Sequence, residues 1–270
     1  MKERNIVKKI VREIKRPFAQ MSSCFGGSPK NRVCNTFLSD ELITSQAFCS
    51  DGLATSHNCD FLTELRFIQA HEAGKATTPE LANYDFRWRQ RIVLWAAEHA
   101  SKLEGDFVEC GVFKGYLARM IFEYIPFTTL GKVFWLLDTY EGMVPRLMSS
   151  KEKRLRSEWY ARSGSYEAVC KTFHSFEGHV KIIKGIVPDT LPKVTAKKIA
   201  YLSIDMNCAA PEIAAAEYFW PKLVPGAIIV LDDYGFAGYE EQKDAFNKFA
   251  ERKNTTILPL PTGQGVIIKN

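Results

Sequence analysis

The chain has 270 residues, of which 46% are hydrophobic, enough to bury a substantial core in one α/β domain carrying an N-terminal extension. No apolar run reaches the roughly 18 residues that a membrane-spanning helix needs, and the basic N-terminus lacks the continuous apolar segment of a secretory signal. The net charge of +5 is concentrated in residues 1–18, where Lys2, Arg4, Lys8, Lys9, Arg12, Lys15 and Arg16 stand against Glu3 and Glu13. The remainder is formally neutral, which argues against a nucleic-acid-binding surface.

Residues 1–18 read as a basic amphipathic helix, with Ile6, Val7, Ile10, Ile14 and Phe18 near one face and Pro17 ending it. Its expected role is a solvated arm or a contact within a homo-oligomer, with peripheral contact to an anionic membrane surface as the alternative. From Gln20 to about Asp60 the chain is rich in Ser, Gly, Asn and Cys and is expected to be irregular or a mobile lid. Helical spacing follows over Phe61–His71 and, more strongly, over Tyr84–Lys102. In the latter, Arg87, Arg89 and Arg91 read as surface ion-pairing residues, and His99 as a helix-surface or core histidine. Residues 19–104 are thus a helical and lid region. The seven cysteines contain no C-x-x-C pair and an odd count, which fits reduced thiols in a cytoplasmic protein. Cys24, Cys34, Cys49 and Cys59 cluster at spacings unlike those of compact zinc modules.

A second region, 105–270, alternates strand and helix. Phe107–Gly111 is a predicted strand, then a tight turn over Val112–Gly115 and a helix over Tyr116–Tyr124. Lys132–Leu137 is a strand ending at Asp138, followed by a charge-dense stretch from Gly142 to Ser165 and a helix over Tyr166–Phe176. Val180–Lys184 is a third strand with Gly185 at its end. Ile199–Ile204 and Ala227–Leu231 are the fourth and fifth, each a continuous apolar run of the kind a buried parallel strand shows. Pro211–Leu223 and Tyr239–Arg252 are helices, Pro211 suiting a first helical turn. Thr256–Leu258 and Gly265–Lys269 close the chain as short strands. This alternation predicts a doubly wound, mainly parallel sheet of Rossmann-like type.

Carboxylates mark the ends of these strands. Asp205 follows the fourth, and Asp232 and Asp233 follow the fifth, where open α/β sheets bind ligands. Three carboxylates there make an oxygen-rich site suited to Mg²⁺ or another divalent cation. Glu109-Cys110-Gly111-Val112-Phe113-Lys114-Gly115 places two glycines and free backbone N–H groups at a strand-to-helix turn. It is neither G-x-G-x-x-G nor G-x-x-x-x-G-K-[ST], so the dinucleotide fingerprint and the P-loop both fail. Asp138 stands where a carboxylate usually holds a ribose diol.

Taken in order, Glu109-Cys110-Gly111-x-x-x-Gly115, Leu137-Asp138-Thr139-Tyr140-Glu141-Gly142, Gly185-Ile186-Val187-Pro188-Asp189-Thr190-Leu191-Pro192, Asp205 and Pro225–Tyr234 resemble the macrocin O-methyltransferase-like family over about residues 105–270. Those enzymes use S-adenosylmethionine and a divalent metal to methylate sugar hydroxyls. The resemblance implies the seven-stranded sheet of class I methyltransferases, with its last strand antiparallel. It implies Glu109, Gly111, Gly115, Asp138, Gly185 and Asp205 around the cofactor, with Glu109 and Gly111 by its methionine part and Asp138 by its ribose. It also implies that Asp205, Asp232 and Asp233 hold the metal and take part in catalysis.

The chain departs from the family in three places. No histidine lies between Asp138 and Ser165, which leaves Glu141 as the candidate general base, while His174 and His179 read as surface residues. Asn207 stands where a second acid is common, and Tyr116 where glycine often follows Gly115. The expected acceptor is a small molecule or glycan with vicinal oxygens, a glycosylated natural product and a cell-surface glycan fitting equally. Its lid would come from residues 20–100 and 142–165, with Phe37, Phe48, Phe61, Tyr84, Trp88, Trp159 and Tyr160 as aromatic surfaces or core. Rival readings are a metal-dependent catechol-type O-methyltransferase, a non-catalytic methyltransferase-fold subunit of a glycan-assembly complex, and a nicotinamide-dependent oxidoreductase.

Overall fold

A computed structural model describes residues 47–81, 83–155 and 166–270. The expected helix at 1–18, Cys24, Cys34, Phe37, Trp159 and Tyr160 lie outside the described residues. Residues 47–270 form one compact unit. Its strands are β1 (Phe48–Ser50), β2 (Leu53–Thr55), β3 (Asp106–Cys110), β4 (Phe134–Asp138), β5 (Val180–Lys184), β6 (Ile199–Ile204), β7 (Leu223–Leu231), β8 (Leu258–Pro259) and β9 (Gly265–Ile268). Its α-helices are α1 (Leu65–Lys75), α2 (Arg87–Ser101), α3 (Tyr116–Tyr124), α4 (Ser150–Leu155), α5 (Tyr166–Phe173), α6 (Ala209–Phe219) and α7 (Glu240–Lys253).

Seven strands form one sheet in the order β5-β4-β3-β6-β7-β9-β8. The first five are parallel, and β9 runs antiparallel to both β7 and β8. This is the doubly wound sheet that the alternation predicts. The strand order reverses between β3 and β6, which opens a crevice at their carboxyl ends. β6 is buried at every position, as a central parallel strand must be when helices cover both faces. Phe107, Phe134 and Tyr201 meet across β3, β4 and β6, with Phe107 and Tyr201 ring centroids 5.0 Å apart. Each such ring contributes about 1.5–3 kcal/mol through burial.

Residues ahead of β3 belong to the same core: Phe67 of α1 and Val93, Leu94, Ala96, Ala97 and Ala100 of α2 are buried with the sheet. Several elements differ from expectation for local reasons. The first helix starts at Leu65 rather than Phe61, because residues 60–63 close a single 3₁₀ turn first. β7 begins at Leu223, since the strand continues past Pro225 and Gly226 through a register shift against β6. A bulge is where a strand can place a proline without losing a ladder bond. The described end of the expected irregular segment is ordered, as the antiparallel hairpin β1–β2. Its Asp51-Gly52 turn has φ of 51° and 76°, the pair of left-handed residues that a tight two-residue hairpin requires.

His99 lies on α2 with Nε2 3.1 Å from the Gly226 carbonyl, a packing role between helix and sheet. Cys59, Cys110, Cys170 and Cys208 are free thiols. Among the described residues no helix is long and apolar enough to cross a membrane.

Candidate functional site

The backbone itself lines up the ends of the strands. Asp205 N donates to Cys110 O at 2.9 Å, Asp232 N to Ile204 O at 3.1 Å, Gly111 N to Leu137 O at 2.9 Å and Gly185 N to Asp138 O at 2.9 Å. Each residue just beyond one strand is therefore pinned to its neighbour strand. Carboxylates in those positions share one crevice. Glu109, on the last turn of the pleat in β3, is 2% exposed and has one carboxylate oxygen, Oε2, without a partner. Burial, then the charges of Asp138 and Asp232, push its carboxyl well above the usual range. Those two causes also place it within electrostatic reach of both flanking acids.

Gly111 sits at the point where β3 and β6 part. Its φ is 91°, and a Cβ there would fall 1.7 Å from the carbonyl oxygen of Asp205. Only glycine fits. Gly115 caps the N-terminus of α3, and Gly185 follows β5. Asp138 braces this region: its Oδ2 accepts from Val112 N at 2.7 Å and Phe113 N at 2.8 Å, and its Oδ1 accepts from Tyr140 N at 2.7 Å. It ties the turn after β3 to the turn after β4. Tyr140, buried between Asp138 and α5, has a hydroxyl with no partner.

Asp205, Asp232 and Asp233 come together. Burial, then Asp232 and Asp233, raise the Asp205 carboxyl well above its usual range, and burial, then Asp232, do the same to Asp233. Like charges crowded in a low-polarity crevice disfavour ionisation. Oδ2 of Asp233 and Oδ1 of Asn207 are buried with no partner, while Asn207 donates through Nδ2 to Asp205 Oδ1 at 3.1 Å. The donors are all oxygens, and two of them lack a partner, which fits a hard divalent cation. Among the described residues, however, no three acidic, histidine or cysteine side chains form a ready cation cage. Asp232 is already engaged, its Oδ2 by Arg89 Nη1 at 2.6 Å and its Oδ1 by Gln264 Nε2 at 3.0 Å.

Arg89 corrects the expectation of a surface residue. It is half-buried at the site, gripping Asp51 with Nε at 3.2 Å and Nη2 at 3.0 Å, with its guanidinium carbon 4.5 Å from the centroid of the Phe236 ring. Burial opposes its charge, but Asp232, Asp51 and Asp233 outweigh that and raise its pKa. The sequence did carry a signal. Arg89, Val93, Ala96 and Ala100 recur at helical spacing on the buried face of α2, so a charge falls in an apolar stripe. Arg87 instead pairs with Asp85, and Arg91 donates to the Tyr124 hydroxyl. Asp51 and Gln264, near the ends of short strands, had no comparable signal.

Glu141 does not join the other carboxylates. It is exposed and ion-paired with Lys184 at 2.7 Å, beside β5 at the far edge of the parallel strands. Tyr116 turns away from the crevice, its hydroxyl accepting from Gln90 Nε2 at 3.0 Å. Phe48 and Phe61 are core residues, Phe61 packing edge-on against Phe67 and Trp88. His174 is exposed, as expected.

A seven-stranded sheet of this order with acids along its strand ends defines the class I methyltransferase fold, and solved structures share it. The O-methyltransferase NovP superposes over 67% of this chain and 79% of its own, with a TM-score of 0.60 at 18% identity. An SAH-bound methyltransferase from Podospora anserina does so over 76% of this chain and 88% of its own, with a TM-score of 0.50 at 14% identity. In sequence, the chain is 28% identical over 145 residues to 8-demethyl-8-(2,3-dimethoxy-alpha-L-rhamnosyl)-tetracenomycin-C 4'-O-methyltransferase of Streptomyces olivaceus. That match covers 50% of this chain and about half, 55%, of the relative. The profile of macrocin-O-methyltransferase (TylF) matches residues 89–260, well over half of the chain. The chain belongs to the macrocin-O-methyltransferase family.

Proposed function

We propose that this chain is an S-adenosylmethionine- and divalent-cation-dependent O-methyltransferase that acts on a hydroxyl of a sugar, within a glycosylated natural product or a glycan. The observation that carries this reading is the convergence of Glu109, Asp205, Asp232 and Asp233 at the ends of β3, β6 and β7, with buried, unpartnered oxygens on Glu109 and Asp233. A fold gains nothing in stability from such oxygens, since each costs about 1–3 kcal/mol when left unmade. They suit a ligand instead.

S-adenosylmethionine supplies an electrophilic methyl group when bound, and a divalent cation lowers the pKa of an acceptor hydroxyl and fixes its direction. The chain's own residues have separable tasks. Glu109, through its unpartnered Oε2, would hold the methionine part of the cofactor. Gly111, Gly115 and Gly185 let the backbone come close, and Asp138 holds the two turns that shape the crevice on the ribose side. Asp205, Asp232 and Asp233 are the residues that would hold the cation. Asp205 is the most accessible of the three, and we assign it the uptake of the acceptor's proton, since Glu141 is engaged with Lys184 at the sheet edge.

The sugar acceptor is supported by family membership and by the rhamnosyl relative. The test is methyl transfer from S-adenosylmethionine to a panel of rhamnosides, other deoxysugar glycosides and catechols, with Mg²⁺ or with EDTA. Cation-dependent methylation of a glycoside is expected. Methylation of catechols alone, or turnover unaffected by EDTA, would overturn the reading.

A further inference from the structure

The Arg89–Asp232 pair is unusual in its economy. One guanidinium serves two acids through different nitrogens: Nη1 reaches Asp232, while Nε and Nη2 grip Asp51 in a fork. Arg89 and Asp51 side chains are 15% and 17% exposed, and that of Asp232 is 7% exposed, so all three charges are largely withdrawn from water. Among the described residues, the one guanidinium in this contact faces Asp51, Asp232 and Asp233, with Asp205 beside them, so carboxyl groups outnumber it. Both oxygens of Asp232 are already engaged, by Arg89 and by Gln264. A divalent cation drawn to Asp232 therefore meets a guanidinium already bonded to Oδ2, and the two positive charges compete for that oxygen.

We infer that Arg89 is a built-in counter-cation for Asp232, which gives up that carboxylate when a divalent cation takes its place and falls back on Asp51 at the tip of the β1–β2 hairpin. The inference rests on the cation site proposed above. Two like charges on one buried carboxylate repel strongly, so guanidinium and cation compete for Oδ2. Releasing Asp232 outright would strand a buried cation, and a stranded charge is strongly disfavoured. The fork to Asp51 removes that obstacle, because Nη1 lets go while Nε and Nη2 keep their partner. Phe236 keeps the guanidinium plane in place during the exchange. Asp51 has this position because the left-handed Asp51-Gly52 turn presents it towards α2, and the hairpin is thereby coupled to the occupancy of the site.

The test is a titration with Mn²⁺, followed by electron paramagnetic resonance and calorimetry, with no cofactor or acceptor present. Wild type is compared with Arg89→Met, Asp51→Asn and Asp232→Asn, each first checked for native circular dichroism. Arg89→Met, which keeps the apolar stem but removes the competitor, is expected to bind Mn²⁺ about tenfold more tightly. Asp51→Asn removes the fallback and is expected to bind several-fold more weakly. Asp232→Asn should lose the site. Unchanged or weaker binding by Arg89→Met would make Arg89 a structural brace and overturn the inference. If Arg89→Met fails to fold, Asp51→Asn decides alone, and unchanged or tighter binding overturns it. Absence of Mn²⁺ binding in both wild type and Arg89→Met would overturn the cation site itself, and this inference with it. Normal binding that is lost only in Asp232→Asn would spare the cation site and overturn this inference alone.

Discussion

Gly111 and Asp205 are packed backbone against backbone: the Cβ that glycine lacks would lie 1.7 Å from the Asp205 carbonyl oxygen, and Asp205 N donates to Cys110 O at 2.9 Å. The glycine turn after β3 and the acid after β6 are therefore one structural unit. Gly111→Ala must move one strand end or the other, at a backbone angle that alone costs about 1–2 kcal/mol. The expected result is a fall in Tm of several degrees together with at least a tenfold loss of S-adenosylhomocysteine affinity. Differential scanning fluorimetry and calorimetry measure the two. An alanine variant with native Tm and affinity would show that the two strand ends are not coupled.

Glu212 of α6 makes the stability depend on pH. It is buried, and burial pushes its carboxyl up from the usual 4.5 to about 7, against the hydrogen bonds from Gln242 Nε2 and Met206 N. A carboxyl with a raised folded pKa favours the folded state in its protonated form. Its contribution is full below about 4.5 and is lost as pH rises through about 7, a swing on the order of 3 kcal/mol. Glu212→Gln keeps an acceptor for both bonds but cannot ionise. The Tm of wild type relative to that variant should therefore fall between pH 5 and pH 8. Parallel Tm curves across that range would contradict it.

The β-α alternation after Gly105, the two fully apolar strands and the acids at their ends were legible because burial on both faces forces continuous apolar runs. Val180–Lys184, Ile199–Ile204 and Tyr116–Tyr124 match the expected bounds residue for residue. The hairpin was not legible as a hairpin, although Asp51-Gly52 is a turn pair, because three-residue strands are too short to show alternation. The charge of Arg89 points to the surface, whereas its helical phase with Val93, Ala96 and Ala100 places it on the inward face of α2. Tyr116 and Gln90 form a buried polar contact that no periodicity announces, since its partner comes from another helix.

Glu152 ties the segment after β4 to α6. Glu152 of α4 accepts from Ser149 N at 2.7 Å and, through its other oxygen, from Ala209 N at 2.8 Å, at the first residue of α6. It caps two helices at once, its own and α6. Glu152→Ala is expected to lower stability by about 1–2 kcal/mol, as loss of a helix cap does. Because α6 follows directly on Asp205-Met206-Asn207, acceptor KM should rise more than cofactor affinity falls. Stability equal to wild type in urea unfolding would contradict the capping role.

The acids differ in what their removal should do. Asp205→Asn is expected to reduce turnover by about two orders of magnitude or more, equivalent to about 2.7 kcal/mol of barrier, with Tm held or raised because a carboxyl crowded by Asp232 and Asp233 is gone. Glu109→Gln is expected instead to weaken cofactor binding. Steady-state kinetics and calorimetry on the pair separate the roles. The two variants having the same pattern would contradict the division of the crevice into cofactor and cation sides.

The most direct test of the central claim is calorimetric titration of S-adenosylhomocysteine, with and without Mg²⁺, on wild type and Asp232→Asn. Both proteins are expected to bind the nucleotide in the micromolar range, with a separate Mg²⁺ heat in wild type only. Failure of folded wild type to bind the nucleotide would contradict it.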